Sequence, residues 1–118
     1  MISIECLESG SVRVLRVHGD LNEEGVPDLR LALMDCLAQG RTNVVLNVAG
    51  VAFVSYIGVG VLVERLGQLQ AAKGDLKLAC MSVYMRRLLR LMGLSHVFNT
   101  YETELQAIQG CTTKQAAA

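Results

Sequence analysis

The chain opens on an alternation in which Ile2, Ile4 and Cys6 are separated by the polar Ser3 and Glu5. That period of two is the pattern of a strand with one buried face. Ser9-Gly10 offers a turn into Val12-Arg13-Val14-Leu15-Arg16-Val17, so the first two segments predict a hairpin. The period then changes. After Gly19-Asp20-Leu21-Asn22, Pro27 suits the first turn of a helix, and Leu29, Ala32, Leu33, Cys36 and Leu37 recur at helical spacing up to Gly40. Val44-Val45-Leu46-Asn47-Val48 is almost unbroken in apolar residues, as a central strand covered on both faces would be. A second helix is predicted from Ser55 to Gly74, with Val59, Leu62, Val63, Leu66 and Leu69 turned inward.

Leu76, Leu78 and Cys80, alternating with Lys77 and Ala79, predict a further strand. Ser82 is placed to cap a third helix that carries Leu88, Leu91 and Met92 on one stripe and ends at Gly93. Thr100 is placed to cap a fourth, with Glu102 and Glu104 near its positive end and Tyr101, Leu105 and Ile108 facing inward. Residues 1–110 thus form one domain, and residues 111–118 are expected to be a flexible tail. The order of elements is of the βαβ type, so the fold class is α/β. A mixed sheet of four to five strands is expected, with about four helices packed mainly on one face.

Composition narrows the function more than the fold. A chain of 118 residues can bury a sufficient core without disulfides or a metal. Eleven Lys and Arg balance eleven Asp and Glu, so no net field favours nucleic acid, an anionic membrane or an acidic substrate. Recognition must therefore be local. Cys6, Cys36, Cys80 and Cys111 lie far apart with no Cys-x-x-Cys pair, against zinc, haem or a redox couple, and the first three occupy apolar positions of predicted elements, as small core residues do. The first residues lack the basic start and apolar run of a signal peptide, and no stretch is long enough to insert in a bilayer, so a cytoplasmic location is expected.

No Walker lysine, nucleophile elbow, carboxylate pair or metal spacing is present, and His18 and His96 each lack a sequence-adjacent carboxylate. Neither catalysis nor a cofactor is expected. Arg86, Arg87 and Arg90 form a basic cluster on the third predicted helix. Their bland reading is a solvated face suited to the helix C-terminal dipole; the sharper alternative is an acidic partner.

The stretch Leu46-Asn47-Val48-Ala49-Gly50-Val51-Ala52-Phe53-Val54-Ser55-Tyr56-Ile57-Gly58-Val59-Gly60-Val61-Leu62 resembles the signature of STAS domains, in which a buried strand leads into a helix that commonly begins Asp-Ser-Ser-Gly-Leu-Gly. Gly19-Asp20-Leu21-Asn22 is similar to the family's Gly-x-Leu-Asp after the second strand. Arg86-Arg87-Leu88-Leu89 through Gly93-Leu94-Ser95-His96-Val97-Phe98 is similar to its C-terminal segment. The resemblance is to the bacterial anti-sigma factor antagonists and spans nearly the whole chain.

It implies a partner-switching module. Unmodified, such a protein binds a serine-protein kinase that is also an anti-sigma factor, and phosphorylation at the start of the second helix releases it. A helix N-terminus accommodates phosphate locally, while the added charge alters the docking surface. Here Ser55 stands at the usual Asp, Tyr56 at the phosphorylated Ser, Ile57 at the following small residue, and Asn22 at the acidic residue of the loop. The partner-binding residues it implies are Asp20, Asn22, Ser55, Tyr56 and Gly58, with an anti-sigma factor or related kinase-fold protein as partner.

Two variants of that role stay open: a binder that phosphate no longer switches, or one phosphorylated at Ser55. Ser55 also reads as an ordinary N-cap, and Gly58 and Gly60 as residues that let the first turn pack closely. A scaffold subunit of a signalling assembly or of a membrane lipid-transport complex is the alternative function. A small-ligand or nucleotide-binding domain comes third, and a homodimer is left open.

Overall fold

The computed structural model describes residues 2–117, with side chains through residue 111. In chain order the elements are β1 (Ser3–Ser9), β2 (Val12–His18), α1 (Val26–Ala38), β3 (Asn43–Gly50), α2 (Tyr56–Ala71), β4 (Asp75–Ala79), α3 (Val83–Leu91), β5 (Thr100–Tyr101) and α4 (Glu104–Ala117). They build one five-stranded sheet in the order β1-β2-β3-β4-β5. The β1–β2 pair is antiparallel and every other pair parallel, as a hairpin followed by helical crossovers requires. No helix among the described residues is long and apolar enough to cross a membrane.

β3 lies in the middle, and its alternate residues point to opposite layers. Val44, Leu46 and Val48 join the large core under α1, α2 and α3, while Val45 faces α4. In β2, Leu15 and Val17 take the first side and Val12 and Val14 the second. Three of the four helices thus share one face, as expected from sequence.

Several side chains depart from the sequence reading. α3 buries Met85 and Leu89 most deeply; of the expected Leu88–Leu91–Met92 stripe, Leu88 and Met92 pack partly against the core, whereas Leu91 is 84% exposed. Ser82 Oγ accepts from Met85 N at 3.1 Å, so the helix starts where expected. Thr100 lies in β5, paired with Leu78 of β4, and Thr103 Oγ1 instead accepts from Gln106 N at 3.1 Å. Leu105 points outward, because α4 approaches the sheet through the small Ala107 and Cys111. α4 continues past Gly110 to Ala117, which brings Cys111 into the packed domain; Ala118 lies outside the described residues. Of the three cysteines read as core, Cys36 is buried, Cys80 half-buried and Cys6 exposed on the edge strand.

The largest departure is on β4, where Lys77 is as buried as its apolar neighbours. Its Nζ lies 2.7 Å from Asp75 Oδ2, with side-chain exposures of 2% and 4%. Asn99 Nδ2 donates to the same oxygen at 2.9 Å, and Lys77 Nζ stands 5.9 Å from the Tyr101 ring centroid. Burial alone pushes the Asp75 carboxyl up and the Lys77 ammonium down. Their mutual hydrogen bond, with Asn99's donation to the carboxylate, outweighs burial and leaves Asp75 below and Lys77 above the ordinary value. Beside this pair, Glu104 in the first turn of α4 accepts from Arg16 Nε at 2.9 Å, Arg16 Nη2 at 3.0 Å and Asn47 Nδ2 at 3.0 Å. The Arg16 bonds hold the Glu104 carboxyl below its usual range.

Candidate partner-binding site

Two loops leave the same end of the sheet and are bonded to each other along their backbones. Gly19 N donates to Gly50 O at 3.0 Å, Leu21 N to Phe53 O at 2.8 Å, and Ser55 N to Leu21 O at 2.9 Å. Leu21 and Val54 form a parallel bridge, and both side chains are sunk in the core. Because strand-like residues alternate, Asp20 and Asn22 then face away from the core on either side of Leu21, near the start of α2. Asn22 Oδ1 accepts from Glu24 N at 3.1 Å and Gly25 N at 3.0 Å, an Asx turn that leads the chain into α1. Together Asn22, Glu23, Glu24, Phe53 and Ser55 line an open cleft of about 430 Å³.

α2 starts abruptly. Ser55 has extended backbone angles (φ −82°, ψ 167°) and its Oγ accepts from Gly58 N at 3.1 Å, the geometry of an N-cap. The turn that follows is held down by Gly58. A Cβ there would stand 2.9 Å from Leu21 O and 3.1 Å from Val54 Cγ1, so only glycine lets α2 sit this close to the bridged loops. Gly60 is different: a Cβ there meets nothing within 4 Å, and nothing in the structure accounts for it.

With its backbone fixed, the first turn presents apolar side chains to solvent. Tyr56 is 70% exposed and Ile57 beside it 49%. Phe53 stacks on Tyr84 with ring centroids 6.0 Å apart and planes 24° from parallel, and Tyr84 Oη donates to Val54 O at 3.3 Å. The surface is therefore wider than the five residues marked from sequence. Phe53, Ile57 and Tyr84 belong to it, and Tyr84 reaches it from the first turn of α3. The available signal was the apolar pair Val83-Tyr84 directly after a capping serine, where a first turn is ordinarily polar.

The fold and this surface define a small α/β domain that offers one helix N-terminus, one bridged loop and a patch of exposed rings. The chain belongs to the STAS domain family, whose profile matches residues 3–107. The anti-sigma F factor antagonist of Lysinibacillus sphaericus is 30% identical over 82 residues, which cover 69% of this chain and 70% of that protein. An anti-sigma factor antagonist from Mycobacterium paratuberculosis has the same fold, with a TM-score of 0.86 at 22% identity over 95% of each chain. The Bacillus cell fate determinant SpoIIAA in its phosphorylated form superposes with a TM-score of 0.72 at 26% identity, covering 92% of this chain and 97% of that one.

Ser55 Oγ and the exposed rings, carboxylates and amide of this surface are groups suited to recognition. Among the described residues no cluster of three or more His, Cys, Asp and Glu could hold a metal ion. His18 and His96 are both exposed.

Proposed function

We propose that this chain is a regulatory binding module that docks on an anti-sigma factor of the kinase type. The contact surface is the first turn of α2, with Ser55 and Tyr56 seated over the buried Gly58, beside Asp20 and Asn22 of the bridged loop. The observation that carries the proposal is Tyr56: a large ring, 70% exposed, on a turn whose backbone is fixed by the Ser55 cap and the Leu21–Val54 bridge. A tyrosine so placed loses little freedom on binding and is the kind of side chain that dominates interface energies.

Tyr56 stands where the resembling family carries its phosphoacceptor serine. The phenol oxygen lies several ångströms farther from the backbone than a seryl oxygen, so a kinase shaped for serine presents its γ-phosphate to the wrong place. Ser55 serves as the helix cap. The chain accordingly stays in its binding-competent state and acts in the cytoplasm by occupancy rather than by catalysis or nucleic-acid contact.

The test is a set of titrations of full-length variants against each kinase-type anti-sigma factor encoded in the same genome. For the one that binds, Tyr56→Ala should weaken the complex by about 1 kcal/mol or more, as loss of an interface anchor does. Ser55→Ala should leave affinity within about twofold while lowering stability by about 1 kcal/mol, the usual cost of a lost cap. Unchanged affinity in Tyr56→Ala would remove the ring from the interface.

A further inference from the structure

The charge balance of the whole chain hides a one-signed region. Residues 76–101 contain no Asp or Glu, whereas Arg86, Arg87 and Arg90 all lie exposed on α3. None of the three guanidinium groups takes part in an ion pair among the described residues, although Arg13, Arg16 and Arg41 elsewhere each have one. The dipole at the end of α3 accounts for Arg90 but leaves Arg86, one turn earlier, facing the like charge of Arg90.

Geometry gives this pair a use. Arg86 and Arg90 share a cavity of about 150 Å³ with the hydroxyl-bearing Ser95 and Thr100, floored by Met81 and Leu89. Met81 and Leu89 are apolar and Leu89 is buried, so the floor supplies no competing carboxylate. We propose that this cavity binds a phosphate group, held between the two guanidinium groups with Ser95 and Thr100 as hydroxyl donors. Paired guanidinium groups are the preferred partners of phosphate oxygens. The volume is well below the ~300 Å³ of ordinary small-molecule pockets. It therefore takes the anionic group and leaves whatever carries that group outside. The carrier is either a soluble phosphate compound or a lipid headgroup. The site lies on α3 and β5, apart from the Tyr56 surface, and does not depend on the function proposed above.

The full chain is titrated with inorganic phosphate, at constant ionic strength, by amide NMR. Saturable shifts at Ser95 and Thr100 are expected, and Arg86→Gln with Arg90→Gln should weaken binding at least tenfold. Arg87→Gln, outside the cavity, should change it less than twofold. Thermal melts of each variant exclude unfolding as the cause. Vesicles of phosphatidylcholine with phosphatidic acid, against phosphatidylcholine alone, separate the carriers: sedimentation only with phosphatidic acid, lost in the double variant, assigns the lipid, and phosphate shifts without sedimentation assign the soluble one. Absence of both saturable shifts and sedimentation overturns the proposal. So does an Arg87→Gln effect equal to that of the double variant, which would indicate diffuse attraction rather than a site.

Discussion

The two faces of the sheet are held by different forces. Under α1, α2 and α3 the core is apolar and continuous, and Leu21 and Val54, which anchor the bridged loops, belong to it. Under α4 the buried apolar set shrinks to Val12, Val14, Val45, Ala79, Ala107 and Cys111, and charged groups complete the layer: Asp75 with Lys77, and Glu104 with Arg16. The proposed recognition surface is thus built on the face that holds no buried ion pair. The charged face supports α4, and among the described residues none of Asp75, Lys77, Arg16 and Glu104 bonds to the loops of that surface. Damage to the first face should cost folding and binding together, while damage to the second should cost folding alone.

The largest expected effect tests the charged face. Lys77→Met leaves Asp75 buried without its cation and should cost about 3–5 kcal/mol in chemical denaturation. Asp75→Leu combined with Lys77→Met should recover part of that loss, since no charge is then left unpaired. In either variant, the protein that remains folded should bind its partner as the wild type does. Impaired binding by fully folded Lys77→Met would show that the two faces are coupled.

The same face should respond to pH in a defined direction. Asp75 and Glu104 are held below the ordinary carboxylate value, so their contribution is complete above the unfolded pKa of about 4 and is lost as pH falls through the folded values. Lys77 is raised, so its contribution is complete below about 10.4 and is lost as pH rises through its folded value. α4 amides should therefore lose hydrogen-exchange protection in acid before those of α2, and equal loss in both helices would contradict the division.

Leu62, fully buried on α2, tests the apolar face. Leu62→Ala should cost about 2–5 kcal/mol, with little dependence on pH, and a change below about 0.5 kcal/mol would show that the wrong side of the helix has been assigned. Smaller still is the contrast between two glycines on the same turn of α2. Gly58→Ala forces a methyl against the Leu21 carbonyl and should cost about 1–3 kcal/mol. Gly60→Ala enters open space and should gain up to about 1 kcal/mol of helix stability. Equal effects in thermal melts would mean that close packing on the bridged loop is not what requires Gly58.

The sequence made the first face legible because it is encoded by periodicity. Leu29, Leu33 and Cys36 on α1, and Val59, Leu62, Leu66 and Leu69 on α2, repeat at helical spacing and are all buried. Ser55 and Ser82 cap the helices as their positions imply, for a cap is a local interaction. The second face was not legible. Lys77 read as the polar side of an alternating strand that began at Leu76, and only a helix 25 residues or more downstream puts it and Asp75 under cover. Leu91 and Leu105 misled for the converse reason, since apolar residues at helical spacing fit more than one rotation of a short helix. The proposed site was half legible: the resemblance marked Asp20, Asn22, Ser55, Tyr56 and Gly58, which the fold brings together, but Tyr84 joins them only through the tertiary stack on Phe53.

The central claim is that Tyr56 anchors a partner which phosphate cannot displace. The direct measurement is the dissociation constant of the full chain with the kinase-type anti-sigma factor proposed as its partner, before and after incubation with magnesium and ATP, alongside Tyr56→Glu. The account predicts the same constant in both conditions, no phosphate on the chain by mass spectrometry, and at least tenfold weaker binding by Tyr56→Glu, a loss of about 1.4 kcal/mol or more. Stoichiometric phosphate on Ser55, with release of the partner and no release in Ser55→Ala, would contradict it.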